Sequence, residues 1–263
     1  MRRIWWIAGF MPLVLVTNLT GCSAKSPSGS QSLWPGEPAA ESIVVFAAAS
    51  LKPAFTQIAG QFNTDNPDAG IDFDFAGSSE LATQLTQGAS ADVFASADRM
   101  QMDTIAKAGL TASNPVNFAS NTLVIVTSHG DPKQIKSFAD LARPGLKVVV
   151  CQQPVPCGAA TERIEDTTSV RLNPVSEEPD VSDVLAKVTS GEADAGLVYV
   201  TDALNADDKV TTVKIPESAG AVNVYPIAVL ERAPQPALAQ KFIDLVTGET
   251  GQKILDQVGF ARP

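Results

Sequence analysis

From residue 43 onward, apolar positions follow two alternating rhythms. Val44-Val45-Phe46-Ala47-Ala48-Ala49 is a continuous apolar run, and Leu51, Ala54, Phe55, Ile58, Ala59 and Phe62 follow at the spacing of one helix face. Ile71-Asp72-Phe73-Asp74-Phe75 then alternates, and Leu81, Ala82 and Leu85 return to the helical period. Continued along the chain, the pattern predicts strands over 43–48, 71–75, 92–96, 122–127, 146–150, 195–199, 210–215 and 222–230. It predicts helices over 51–64, 79–88, 99–108, 135–142, 158–166, 181–190, 236–247 and 250–258. Such alternation points to α/β layers with mostly parallel sheets, where ligands sit outside the carboxyl ends of strands. Extended segments around 119–126 and 221–228 can carry the chain between two lobes and back. The expected division is 43–120 plus 226–263 for lobe I and 121–225, with the crossings, for lobe II.

The first 42 residues break this pattern. Met1-Arg2-Arg3 and the apolar run Ile4 to Val16 read as a secretory signal, and Gly9, Pro12 and Asn18 interrupt the run too often for a comfortable membrane span. An uncleaved membrane anchor is the alternative. Leu19-Thr20-Gly21-Cys22 resembles the bacterial lipobox, which implies loss of residues 1–21, a lipid on Cys22 and an extracytoplasmic chain anchored to the cell membrane. The Ser/Pro/Gly-rich residues 22–42 then form a tether. Setting Cys22 aside leaves Cys151 and Cys157, an even pair that predicts a disulfide in an exported chain. A Cys-x5-Cys metal site competes, but His129 is the only histidine and no third cysteine is nearby.

Net charge narrows the partners. The chain carries −10, and the leader holds Arg2 and Arg3 but no acid, so the mature part is more negative still. That argues against nucleic acid. An anionic ligand would meet a repulsive long-range field and must be captured by local N–H and O–H donors.

Ser50 and Ser78 both stand where a predicted strand meets a predicted helix, beside unpaired N–H groups at the positive end of the helix dipole. The middle segment offers comparable features. Prolines precede the small residues of Pro156-Cys157-Gly158 at a helix start, Asp180 is a good N-cap ahead of Val181, and Ala195-Gly196-Leu197-Val198 is an apolar strand ending in Tyr199. Read singly, the serines are plain helix caps and Tyr199 a half-buried strand aromatic. A secreted serine hydrolase is the enzymatic alternative, but no Gly-x-Ser-x-Gly or Ser-x-x-Lys surrounds either serine, and His129 sits in a turn.

Six of these segments, in order and at similar separations, resemble the molybdate-binding proteins of bacterial ABC transporters. They are Phe46-Ala47-Ala48-Ala49-Ser50-Leu51, Phe75-Ala76-Gly77-Ser78-Ser79, Ala91 to Asp98, Pro156-Cys157-Gly158, Asp180-Val181 and Gly196-Leu197-Val198-Tyr199. The resemblance implies an α/β, two-lobed periplasmic-binding-protein fold of type II, each lobe a central sheet flanked by helices, with a two-strand hinge. It implies a non-enzymatic monomer without cofactor that holds molybdate or tungstate and serves the permease and ATPase subunits of an importer. Molybdenum would enter only as the bound oxyanion. The donors implied are the hydroxyl and N–H of Ser50 and Ser78, the N–H of Cys157 and Val181, and the Tyr199 hydroxyl. Sulfate or another oxyanion is the alternative ligand. Gly77 stands where the family often has Ser, Cys157 where Ala is common, and Glu80 would weaken an anion site unless it points to solvent.

Overall fold

Two five-stranded sheets organise residues 41–263, the part of the chain that the computed structural model describes. The expected signal, Cys22 and the tether up to residue 40 lie outside the described residues. The first sheet contains β1 (Glu41–Ala48), β2 (Ala69–Ala76), β3 (Val93–Ala95), β4 (Val116–Asn121) and β10 (Asn223–Val229), in spatial order β2-β1-β3-β10-β4. The second contains β5 (Leu123–Ser128), β6 (Val148–Cys151), β7 (Ser176–Glu178), β8 (Ala195–Tyr199) and β9 (Val210–Val213), in order β7-β6-β8-β5-β9. In each sheet three neighbouring strands are parallel, and β10 or β5 runs antiparallel between its two neighbours.

The antiparallel strand is the one delivered from the other lobe. β5 follows β4 after the single residue Thr122, and β10 follows β9 through a 3-10 turn at Pro216–Gly220. These two passages form the hinge. Asn223 and Tyr225 already pair with Asn121 and Ala119 of β4, so the first sheet claims the start of β10.

Helices cover the sheets: α1 (Lys52–Asp65), α2 (Ser78–Thr86), α3 (Arg99–Lys107), α4 (Pro156–Thr168), α5 (Val181–Thr189), α6 (Val200–Ala206), α7 (Pro236–Thr247) and α8 (Glu249–Gln257). The apolar face of α1 is buried as its spacing requires, and Phe55 meets Phe242 of α7 edge-on at 5.4 Å. Each such side chain contributes roughly 1.5–3 kcal/mol when buried. On α5, Val181, Val184 and Val188 are buried, and α5 packs against β8 so closely that a Cβ on Gly196 would lie 2.7 Å from Val184. This packing fixes the helix N-termini at the strand ends.

Residues 135–142 depart from expectation by forming only a 3-10 turn, Phe138–Ala142. Ser137 and Asp140 close a capping box at its start, and Arg143 turns extended, as a residue before proline prefers. The short strands β4 and β7 were not predicted as separate elements.

Candidate ligand-binding site

Strand ends and helix beginnings from both sheets converge on a small cleft lined by Ala48, Ala49, Ser50, Ala76, Gly77, Ser78, Ala97, Val155, Pro156, Cys157, Asp180, Val181 and Tyr199. All five residues expected to hold a ligand are therefore brought together. From the first sheet come Ser50, inside the 3-10 turn Ala49–Leu51 between β1 and α1, and Ser78, the first residue of α2. Neither hydroxyl caps its own helix, which removes the plain-cap reading. Ser50 Oγ lies 3.0 Å from the Tyr225 hydroxyl, and Ser78 Oγ accepts the Ala97 N–H at 3.0 Å. Because Ser78 Oγ is held as an acceptor, its proton is free for another partner.

The second sheet supplies mainly backbone. Pro156 occupies the first position of α4, where its missing N–H costs nothing, and the N–H groups of Cys157 and Gly158 fall in the turn that has no intrahelical acceptors. Asp180 caps α5 as expected, its Oδ1 accepting from Ser182 N–H at 2.7 Å and Asp183 N–H at 3.1 Å. That bonding leaves the Val181 N–H outside the cap. Tyr199, at the end of β8, accepts a hydrogen bond at its hydroxyl from Asn223 Nδ2 at 2.9 Å.

Comparison with known proteins fits this geometry. Residues 43–261 match the family described as bacterial extracellular solute-binding protein. The chain belongs to that family. It is 62% identical over 265 residues to the molybdate-binding protein ModA of Mycobacterium tuberculosis (strain ATCC 25618 / H37Rv), covering all of both chains. Among solved structures it is similar to the Azotobacter vinelandii periplasmic molybdate-binding protein, with 20% identity and a TM-score of 0.70 over 84% of this chain and 99% of that one. It is also similar to the sulfate-binding protein SubI of Mycobacterium tuberculosis H37Rv, with 18% identity and a TM-score of 0.74 over 84% and 87% of the two chains. These structural matches carry the two-lobed periplasmic-binding-protein fold, which serves more than one ligand, so the ligand must be argued from the site.

Among the described residues that line the cleft of this solute-binding protein, none is a lysine or arginine. Asp180, the one carboxylate among those described residues, is occupied by the first turn of α5. Glu80 is exposed and accepts from Gln84 Nε2 at 3.3 Å, so it points away from the cleft. Burial pushes the Tyr199 hydroxyl well above the usual phenol range, with Tyr225, Asp98 and Asp202 adding to the effect. Burial raises Tyr225 likewise. Both phenols stay neutral and able to donate.

Cys151 and Cys157 are joined, with their Cα atoms 5.7 Å apart, tying the end of β6 to the first turn of α4. Among the described residues no group of His, Cys, Asp and Glu could hold a metal ion, and no helix is long and apolar enough to cross a membrane. His129 binds the Asp208 carbonyl through Nδ1 at 2.7 Å and does not line the cleft, so no serine gains a base from it. Sequence reasoning missed Asn223, Tyr225 and Ala97, which orient the site from behind. Tyr225 did carry a signal, because a phenol in the buried strand Val224 to Val229 must find a partner for its hydroxyl.

Proposed function

We infer that this protein binds molybdate, and tungstate with it, outside the cytoplasm and passes it to the permease and ATPase subunits of an ABC importer. The carrying observation is a cleft lined by N–H and O–H donors from both lobes, with no cation among its described lining residues, in a chain 62% identical over its length to a protein named molybdate-binding. The hydroxyls of Ser50, Ser78 and Tyr199 and the N–H groups of Ser50, Ser78, Cys157 and Val181 act as the donors. Hydrogen bonds to a charged group contribute roughly 1.5–3 kcal/mol each. Seven or so offset an association cost of about 4–15 kcal/mol and leave micromolar to nanomolar affinity.

Phosphate keeps a proton near neutral pH and needs an acceptor, which these positions do not offer. Sulfate shares molybdate's charge and shape and differs in size, so it is the serious competitor, and the likeness to a sulfate-binding protein keeps it in view. Titration calorimetry with molybdate, tungstate, sulfate and phosphate tests the reading: the first two bind tightly, sulfate much more weakly and phosphate hardly at all. Equal affinities for sulfate and molybdate would overturn it. The protein works as a monomer held by a lipid on Cys22, with residues 22–42 as the tether, and Cys22→Ala releases it from membranes.

A further inference from the structure

Asn223 opens β10, is 2% exposed, and has its side-chain amide engaged on every side. Nδ2 lies within donating distance of the Ala97 carbonyl at 2.8 Å, the Tyr199 hydroxyl at 2.9 Å and the Pro156 carbonyl at 3.3 Å. Oδ1 accepts from Arg163 Nη2 of α4 at 2.7 Å. Ala97 follows β3 in the first lobe, whereas Pro156, Arg163 and Tyr199 belong to the second. One buried side chain thus joins both lobes and one hydroxyl of the cleft.

The direction of the Tyr199 bond matters most. An amide N–H can only donate, so Tyr199 Oη must accept, and its single proton is turned toward another acceptor. Ala97 acts twice on the same side of the cleft: its N–H holds Ser78 Oγ as an acceptor, and its carbonyl anchors Asn223. We propose that Asn223 is a positioning residue that sets the Tyr199 hydroxyl as a donor into the cleft, and that its bonds to Ala97 of one lobe and to Tyr199 and Arg163 of the other tie this setting to lobe closure. The proposal rests on the oxyanion reading above. It adds what selects the site's polarity: the donor character of Tyr199 is imposed by an amide that spans the hinge side of the cleft.

The test is a double-mutant cycle on molybdate affinity, read by calorimetry on the native protein, Asn223→Ala, Tyr199→Phe and the double variant. Asn223→Ala and Tyr199→Phe each lower affinity at least tenfold, and the double variant loses no more than the worse single one. Asn223→Asp keeps the shape while replacing donor by acceptor, so its carboxylate captures the Tyr199 proton. Arg163 Nη2, 2.7 Å from Oδ1, pairs with the new carboxylate and keeps it ionised, so affinity falls to that of Asn223→Ala or below at pH 8 and does not recover by pH 5.5. The native protein, measured over the same range, supplies the baseline for Tyr225, Asp98 and Asp202, which also act on Tyr199. Ligand-free melting temperatures verify that each variant folds. Additive losses in the cycle, or an Asn223→Asp variant that binds like the native protein at pH 8, would overturn the role of Asn223 alone. A native protein that binds no oxyanion would overturn both this role and the reading beneath it.

Discussion

Gly77 faces Pro179 across the cleft so closely that an ideal Cβ would lie 2.3 Å from the Pro179 carbonyl oxygen, nearer than real Cβ atoms come. Its backbone, at φ −61° and ψ 134°, suits any residue, so the glycine serves the approach of the lobes. Overpacking typically costs 1–3 kcal/mol, and here it is felt only when the lobes meet. Gly77→Ala is therefore expected to weaken ligand binding about five- to a hundredfold, as read by calorimetry. Ser50→Ala removes one charge-assisted bond and is expected to cost a similar ten- to hundredfold in affinity by calorimetry. Asp202 has a different role. It accepts the Tyr199 N–H at 3.0 Å, and burial raises its pKa to about 7, with the bond to Tyr199 opposing and Asp180 adding to the shift. A carboxyl raised in the folded state contributes stability that is complete below its unfolded pKa near 4 and is lost as pH rises through about 7. Asp202→Asn keeps the acceptor and removes the titration. Its stability relative to the native protein should therefore rise between pH 4 and pH 7 by a few kcal/mol and level off above, as read by urea denaturation at each pH.

At the scale of elements, the disulfide closes a short loop from the end of β6 to the start of α4. Chain-entropy estimates give about 2 kcal/mol for so small a loop, so reduction should lower the denaturation free energy by that amount, with mass spectrometry confirming two free thiols. Elements with a full apolar period were legible in the sequence. The α1 stripe and the α5 stripe are buried where their spacing put them, and Asp180 caps α5 through its side chain. Elements that depend on distant partners were not. β7 is three residues whose strand character comes from pairing with β6, and β4 carries two exposed positions before its buried ones. The serines were legible as a feature of strand-to-helix turns, but the polarity of their hydroxyls was not. The Ala97 N–H holds Ser78 Oγ as an acceptor, and Ser50 Oγ lies against the hydroxyl of Tyr225, a residue far away in sequence.

At the scale of the molecule, a bond from Gln101 Nε2 of α3 to the Pro154 carbonyl at 3.0 Å also joins the two sides of the cleft. A ligand held by donors from both lobes favours this closed arrangement over an open one by its differential affinity. Small-angle scattering should show a smaller radius of gyration on adding molybdate, and no such change for Gly77→Ala at the same concentration. An unchanged radius in the native protein would count against ligand-driven closure. The strand exchange between the sheets also bears on how the chain first folds. β10 lies between β3 and β4, so β4 has no neighbour in the first sheet until residues 223–229 have been made, long after its first strands. Non-local pairing of this kind slows folding. A nascent chain therefore keeps its first sheet unfinished until most of its length has been synthesised.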